Sequence, residues 1–69
     1  MKRDSVQSSN IDSVGYDADQ MTLEVEFNDG SIYQYFDVPK HVYEGLMRAE
    51  SHGEFLHQNV KGIYRYRRL

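Results

Sequence analysis

Two short tyrosine-containing segments hold the residues of this 69-residue sequence that are best able to bind a ligand. The first is Tyr33-Gln34-Tyr35, and the second is the C-terminal Tyr64-Arg65-Tyr66-Arg67-Arg68. Aromatic rings can stack on unpaired bases, and arginines can contact phosphates. The two segments together therefore have the chemistry of a nucleic-acid contact surface.

The candidate binding residues are the side chains of these segments and one nearby lysine: Tyr33, Tyr35, Lys61, Tyr64, Arg65, Tyr66, Arg67 and Arg68. Each segment also has a purely structural interpretation. The rings of Tyr33 and Tyr35 can pack against a helix and keep their hydroxyls at the boundary with water. The C-terminal arginines can be solvated charges that offset an acidic body.

The charge distribution is strongly asymmetric. Residues 61–69 contain four basic side chains and no acidic one. Residues 1–60 contain the other four basic side chains and all eleven acidic ones, a formal charge of −7. The chain as a whole, at −3, argues against non-specific polyanion binding, whereas its C-terminus permits such binding.

The sequence offers little for catalysis or for a metal site. His41, His52 and His57 lack the spacing of a helical ligand pair, and the chain has no cysteine. Asp17 and Asp19 begin like a calcium loop, but the frame lacks its glycine and its final glutamate. Ser51 is better explained as a helix cap than as a nucleophile. We expect no metal, no cofactor, no enzyme activity and no pocket of about 300 Å³ or more.

The clearest secondary-structure signal is the alternation in residues 22–27. Leu23, Val25 and Phe27 share one face of a predicted strand, and Asn28-Asp29-Gly30 predicts a hairpin turn into a returning strand over residues 31–38. A three-residue loop with a glycine bulge puts both tyrosines on the face of Leu23 and Val25. A two- or four-residue loop puts them with the glutamates, because a one-residue slip exchanges the faces. The bulged loop is favoured.

Helical signals follow the strands. Pro39 suits the first position of a helix with apolar residues at helical spacing, and Gly45 inside it suggests close packing against a neighbour. Ser51-His52-Gly53-Glu54 has the form of a capping box that opens a short second helix, which Gly62 ends. Residues 63–69 alternate again, as a fourth strand or an extended tail.

The predicted fold is a small α+β domain. A three-stranded antiparallel meander, with the C-terminal segment as a candidate fourth strand, carries one main helix and one short helix on one face. We expect residues 1–9 to form a flexible polar leader and residues 10–69 to form a single domain. The N-terminus has no apolar run of a secretory signal, and no stretch is long and apolar enough for a membrane span. The expected compartment is the cytoplasm.

Several short motifs resemble the KTSC domain, a short bacterial domain named for its occurrence at the C-terminus of some lysyl-tRNA synthetases and also found as a free-standing protein. The resemblance covers roughly residues 9 to 69. The residues that carry it are Tyr33-Gln34-Tyr35, Val38-Pro39, Ala49-Glu50-Ser51-His52-Gly53, Phe55 and Ile63-Tyr64-Arg65-Tyr66.

This resemblance implies a non-enzymatic binding module whose function is related to tRNA. The family has no established biochemical function, and RNA binding has been proposed for it from its synthetase context. We expect weak binding of RNA or tRNA through the basic aromatic C-terminal segment. The alternative is a protein-interaction module that docks a partner, or a second copy, through that segment or an exposed sheet edge.

Overall fold

The computed structural model describes residues 1–69 as one antiparallel sheet with two helices. The elements in chain order are β1 (Asp4–Ser5), β2 (Ile11–Asp17), β3 (Thr22–Phe27), β4 (Ile32–Tyr35), α1 (Lys40–Arg48), α2 (His52–Asn59) and β5 (Tyr66–Arg68). The strands lie side by side in the order β1-β2-β3-β4-β5. The predicted α+β class is confirmed, and the sheet has five strands rather than three or four.

One face of the sheet packs against both helices, and we call it the helix face. Leu23 and Val25 of β3 are fully buried there, in one apolar cluster with Leu46 of α1 and Leu56 of α2. The opposite face, which we call the polar face, carries the side chains of Ser13, Glu24, Glu26 and Gln34. The alternation predicted for β3 therefore separates the core from a polar surface.

The β3–β4 hairpin has the register of the bulged loop. The Phe27 amide donates to the Ser31 carbonyl at 2.9 Å, and Leu23 lies opposite Tyr35. Gly30 has a φ of +89°, a conformation that a side chain disfavours and glycine readily adopts. The predicted register is thus confirmed, and it directs Tyr33 and Tyr35 towards the helix face.

Helix α1 begins one residue later than predicted, because Pro39 is its N-cap rather than its first helical residue. The close packing predicted at Gly45 is confirmed, since a Cβ on this residue would lie 2.8 Å from the Phe55 ring of α2. Ser51 caps α2 as predicted, with its Oγ accepting from the Glu54 amide at 3.2 Å. Neither helix is long and apolar enough to cross a membrane.

The N-terminal segment differs from the predicted leader, because Asp4–Ser5 forms β1 at the edge of the sheet. Arg3 extends over the polar face, where its guanidinium contacts the carboxylates of Glu24 and Glu26. Its Nε also donates to Ser13 Oγ at 3.0 Å. Residues 1–9 carry too few apolar side chains to show a strand pattern, so the sequence does not predict β1. Pairing with β2, the ion pairs of Arg3 and the packing of Val6 against the core hold this segment in place. No residue of this segment is buried in the apolar core, so its contribution to the fold is the edge strand and these contacts.

The C-terminal segment forms a paired strand. Tyr66 lies opposite Tyr35, Arg67 opposite Gln34 and Arg68 opposite Tyr33. Hydrogen bonds from the Phe36 amide to the Arg65 carbonyl and from the Leu69 amide to the Ile32 carbonyl close the two ends of this ladder. Of the two possibilities for residues 63–69, the strand is the one observed.

Candidate binding groove

Strand pairing gathers four aromatic rings on the helix face. Tyr33 has its ring centroid 5.6 Å from that of Phe27, 6.4 Å from that of Tyr35 and 5.8 Å from that of Tyr66. The centroids of Tyr35 and Tyr66 are 6.1 Å apart. These contacts follow from register, since residues directly opposite in neighbouring antiparallel strands share a face.

These rings line an open groove of about 810 Å³ between the sheet, helix α2 and the turn that follows α2. We call it the aromatic groove; besides the four rings, its lining includes Asn10, Asn28, Asp29, Gly53, Leu56 and Lys61. The expectation that so short a chain has no pocket of this size is wrong. That expectation concerned a cavity enclosed by the fold. This groove is open to solvent, and a short chain can form it on its surface without enclosing any volume.

The tyrosines of the groove differ greatly in exposure. Tyr35 is only 3% exposed and belongs to the apolar core, whereas Tyr66 is 62% exposed. Tyr33 is half-buried between them. Of the two interpretations of Tyr35, the structure therefore favours packing in the core, because so little of its ring is exposed for stacking. Tyr66 has the accessible ring.

Two of the predicted cations lie beside these rings. The Lys61 ammonium is 5.0 Å from the centroid of the Phe27 ring, and the Arg68 guanidinium carbon is 5.8 Å from that of the Tyr33 ring. Cations at such distances over an aromatic face are attracted by its electron density. They place positive charge next to the aromatic surface of the groove.

The other predicted residues lie elsewhere. Arg65 forms an exposed ion pair with Asp37 at 3.1 Å and lies over the Phe36 ring. Arg67 lies opposite Gln34, on the polar face. Tyr64 is half-buried and packs against the core. The C-terminal segment is thus divided by strand alternation, and its cations do not form one patch.

Two titratable side chains in the groove have shifted pKa values. Burial raises the pKa of Tyr35 to about 12, and the nearby Tyr33 and Tyr66 add to this effect. Hydrogen bonds from the side chain and amide of Ser31 hold the pKa of Asp29 below its ordinary value. Both shifts move away from neutrality, so near pH 7 Tyr35 is a neutral hydroxyl and Asp29 a carboxylate.

Most of the groove lining was not among the predicted binding residues, and Phe27, Asn28 and Asp29 at the β3–β4 hairpin form one continuous part of it. The position of Phe27 could have been predicted from the bulged register, because that register places its ring diagonal to Tyr33 on the same face of the sheet. The positions of Asn28 and Asp29 could not have been predicted in this way, since their approach to α2 depends on the tertiary fold.

The histidines do not gather into a metal site. His52 Nδ1 lies 2.7 Å from the Leu46 carbonyl oxygen, where its ring connects the start of α2 to the last turns of α1. No group of three or more histidine or carboxylate side chains in the structure has the geometry to hold a metal ion.

Comparison with solved structures gives a close match to the crystal structure of a KTSC domain protein from Yersinia pestis. The TM-score is 0.96 at 38% sequence identity, and the match covers 99% of this chain and 96% of that one. The predicted fold class is therefore found in an experimental structure of a relative.

Sequence comparisons give two kinds of relative. An uncharacterised protein of Stutzerimonas stutzeri is 46% identical over 70 residues, covering all of this chain and 99% of that protein. A lysine–tRNA ligase of Trichormus variabilis is 40% identical over 63 residues, which are 91% of this chain but only 11% of the ligase. The KTSC domain family model matches residues 7–66. The chain belongs to the KTSC domain family.

Proposed function

We propose that this protein is a non-enzymatic cytoplasmic module that binds single-stranded RNA, including unpaired regions of tRNA, weakly in the aromatic groove. The observation that carries the proposal is the exposed ring of Tyr66 in the same groove as Lys61, with Arg68 over the neighbouring Tyr33 ring. An accessible aromatic face next to positive charge is the combination that binds unpaired bases and their phosphates.

Each part of the groove has a role in this proposal. Tyr66 stacks on a base, and the half-buried Tyr33 supports the Tyr66 ring from within the sheet. Lys61 and Arg68 contact the phosphates on either side. Because few cations take part and the rest of the chain is acidic, affinity is low. It falls with salt, and the slope is modest because it scales with the number of phosphate contacts.

The relatives support RNA as the class of ligand. A lysine–tRNA ligase contains a segment homologous to nearly the whole of this chain. Weak, sequence-tolerant RNA binding by an appended domain would be useful to an enzyme that acts on tRNA. Homology to a segment of that enzyme is also the ground for proposing a cytoplasmic location for this module.

The groove's titratable groups support a role without catalysis. Its titratable side chains are Asp29, Lys61 and the tyrosines Tyr33, Tyr35 and Tyr66. A general acid or base works best with a pKa near the operating pH, but Tyr35 and Asp29 are shifted away from it. These groups suit binding better than proton transfer.

A protein partner is the second candidate, and the free edge of β5 favours it. The ladder to β4 uses the backbones of Arg65 and Leu69, so by alternation the amides and carbonyls of Tyr66 and Arg68 point outward. An extended acidic segment could add there as a sixth strand. Pairing of two β5 edges would bring like charges together, which disfavours self-association through this edge.

Fluorescence anisotropy tests the RNA proposal directly. The probes are a labelled single-stranded RNA of about 12 nucleotides and the duplex of the same sequence, titrated at about 20 mM and about 150 mM salt. We expect the single strand to bind more tightly, because stacking requires unpaired bases, and both affinities to fall with salt. Equal binding of the two probes would contradict the groove mechanism, and no binding at low salt would exclude RNA as the ligand.

A further inference from the structure

Tyr35 has an unusual hydroxyl. The residue is 3% exposed, yet its Oη makes no hydrogen bond within the protein. No fully enclosed side-chain nitrogen or oxygen in the structure lacks a hydrogen-bond partner. The small exposed part of Tyr35 therefore includes the hydroxyl, and this residue lines the aromatic groove.

Another tyrosine of the sheet shows the ordinary arrangement. Tyr16 lies on the same face, two strands away, and its hydroxyl donates to the Val38 carbonyl. Buried tyrosines usually find such a partner, because an unpaired hydroxyl in an apolar setting costs free energy. The hydroxyl of Tyr35 has no such partner within the protein and reaches solvent at the wall of the groove, where it is available to donate to a ligand.

Two further hydroxyls belong to the same group of rings. Tyr33 and Tyr66 lie within 6.4 Å of Tyr35, measured between centroids, and both line the groove. Negative charge on either would oppose ionisation of Tyr35. We call these three residues the tyrosine triad. A neutral phenol is an O–H donor, so the triad offers three donors to one region.

Two cations, Lys61 of the groove and Arg68 beside it, outnumber the one carboxylate of the groove, Asp29, and this favours an anionic partner. Lys61 lies over the Phe27 ring next to Tyr33, and its ammonium lines the groove. The carboxylate of Asp29, on the hairpin, accepts from the Ser31 amide at 2.9 Å and from the Ser31 hydroxyl at 2.6 Å. The acidic group of the groove is thus satisfied locally, while the hydroxyls and the ammonium remain for a ligand.

We propose that the tyrosine triad and Lys61 bind a phosphate group, with Tyr35 Oη as the donor at the inner wall of the aromatic groove. The inference rests on the proposed function, since RNA supplies the phosphate as an internal phosphodiester or a terminal monoester. Phosphate oxygens are strong acceptors, and hydrogen bonds to charged acceptors are stronger than those between neutral groups. A base stacked on Tyr66 would bring its own phosphate to this position.

The protonation state of Tyr35 suits this role. Burial raises its pKa to about 12, so the hydroxyl keeps its proton throughout the physiological pH range. The donor is therefore permanent, and it adds no negative charge to a site that must accept an anion.

The first test uses inorganic phosphate as the probe, with NMR of the tyrosine ring resonances. The variant is Tyr35→Phe, which keeps the ring in the core and removes only the hydroxyl. The matched control is Tyr43→Phe, at a half-buried tyrosine stacked on Tyr16 away from the groove. We expect phosphate to shift the triad resonances in the wild type and in the control, with about tenfold weaker binding in Tyr35→Phe. Equal titrations of all three proteins would overturn the proposal.

The second test separates the phosphate site from RNA binding. A single-stranded RNA is compared with the same sequence carrying an uncharged methylphosphonate backbone, and each is prepared with and without a 5′-phosphate. Loss of affinity in Tyr35→Phe for the charged RNA alone supports the proposal, and dependence on the 5′-phosphate identifies the terminal source. An equal loss for the uncharged strand would overturn it, because the hydroxyl would then contact a base or sugar.

The two proposals fail in different ways. RNA binding that is unchanged by Tyr35→Phe leaves the proposed function standing and overturns the phosphate site. Phosphate binding that depends on Tyr35, without any RNA binding, supports the site and overturns the RNA function. Absence of both overturns both.

Discussion

Tyr33 of β4 lies directly opposite Arg68 of β5, and the Arg68 guanidinium carbon is 5.8 Å from the centroid of the Tyr33 ring. The neighbouring Arg67 lies opposite Gln34, on the other face of the sheet. Two consecutive arginines therefore have different surroundings. Arg68 lies beside the aromatic groove, and Arg67 lies on the polar face.

This difference predicts unequal effects of the same substitution. We expect Arg68→Ala to weaken binding of single-stranded RNA and to reduce the slope of log affinity against log salt by about 1, because one phosphate contact is lost. Arg67→Ala removes the same charge from the opposite face, so it is the matched control and should change the slope much less. Equal effects of the two substitutions would show that the C-terminus acts only through its total charge.

Tyr66 is expected to contribute affinity with little effect on stability. Tyr66→Ala removes an exposed stacking surface and should cost about 1–3 kcal/mol of RNA binding free energy. The free energy of unfolding should fall by less than about 1.5 kcal/mol, because only ring–ring contacts with neighbouring tyrosines are lost. Fluorescence anisotropy and urea denaturation measure the two quantities.

Two companion variants make that result interpretable. Tyr66→Phe keeps the ring and should retain the stacking contribution. Tyr35→Ala empties a core position and should lower the free energy of unfolding by about 3–5 kcal/mol. If Tyr66→Ala binds RNA as tightly as the wild type, the exposed ring is not a stacking surface.

Local sequence patterns predict much of this fold. Alternation identifies β3, and Asn28-Asp29-Gly30 identifies the hairpin and favours its register. Ser51 and Gly45 are interpreted correctly as a cap and as a close contact. Each of these features depends on residues near one another in the chain, so spacing and residue type suffice.

The candidate site is less predictable, because it depends on non-local pairing. The sequence selects Tyr33, Lys61, Tyr66 and Arg68, which the structure places at or beside the groove. It does not show that β5 pairs with β4, and that pairing decides which faces Arg67 and Arg68 occupy. It also groups Arg65 with them, although that residue pairs with Asp37. Burial of Tyr35 likewise follows only once both helices are in place.

Gly45 gives a packing prediction. Gly45→Ala raises helix propensity by about 1 kcal/mol, but the added Cβ would lie 2.8 Å from the Phe55 ring. Overpacking of this kind costs about 1–3 kcal/mol, so we expect a net loss of stability in urea denaturation. In a Phe55→Leu background the same substitution should cost less, since the obstructing ring is absent. An equal cost in both backgrounds would contradict the contact.

Arg3 gives a prediction for the N-terminal segment. Burial alone raises the pKa of Glu24, but hydrogen bonds from Gln34 and Arg3 and the charge of Arg3 outweigh it, so the pKa lies below its ordinary value of 4.5. Arg3→Leu leaves this nearly buried carboxylate with fewer partners and should lower the free energy of unfolding by about 1–3 kcal/mol at pH 7. Arg48→Leu, at an exposed arginine of α1, is the matched control.

The pH dependence of this contact has a definite sign. A carboxylate whose pKa is lower in the folded state stabilises the fold above its unfolded pKa, and this contribution disappears as the pH falls through the folded value. The stability difference between the wild type and Arg3→Leu should therefore be full at pH 7 and shrink below about pH 4.5. A difference that does not change with pH would show that Arg3 acts through packing alone.

The most direct test of the central claim is an NMR titration of the labelled protein with single-stranded RNA at about 20 mM and about 150 mM salt. We predict chemical-shift changes at Tyr33, Lys61, Tyr66 and Arg68 that fade at the higher salt, with Arg65 and Arg67 little affected. Changes confined to the polar face, or no changes at either salt, would contradict RNA binding in the aromatic groove.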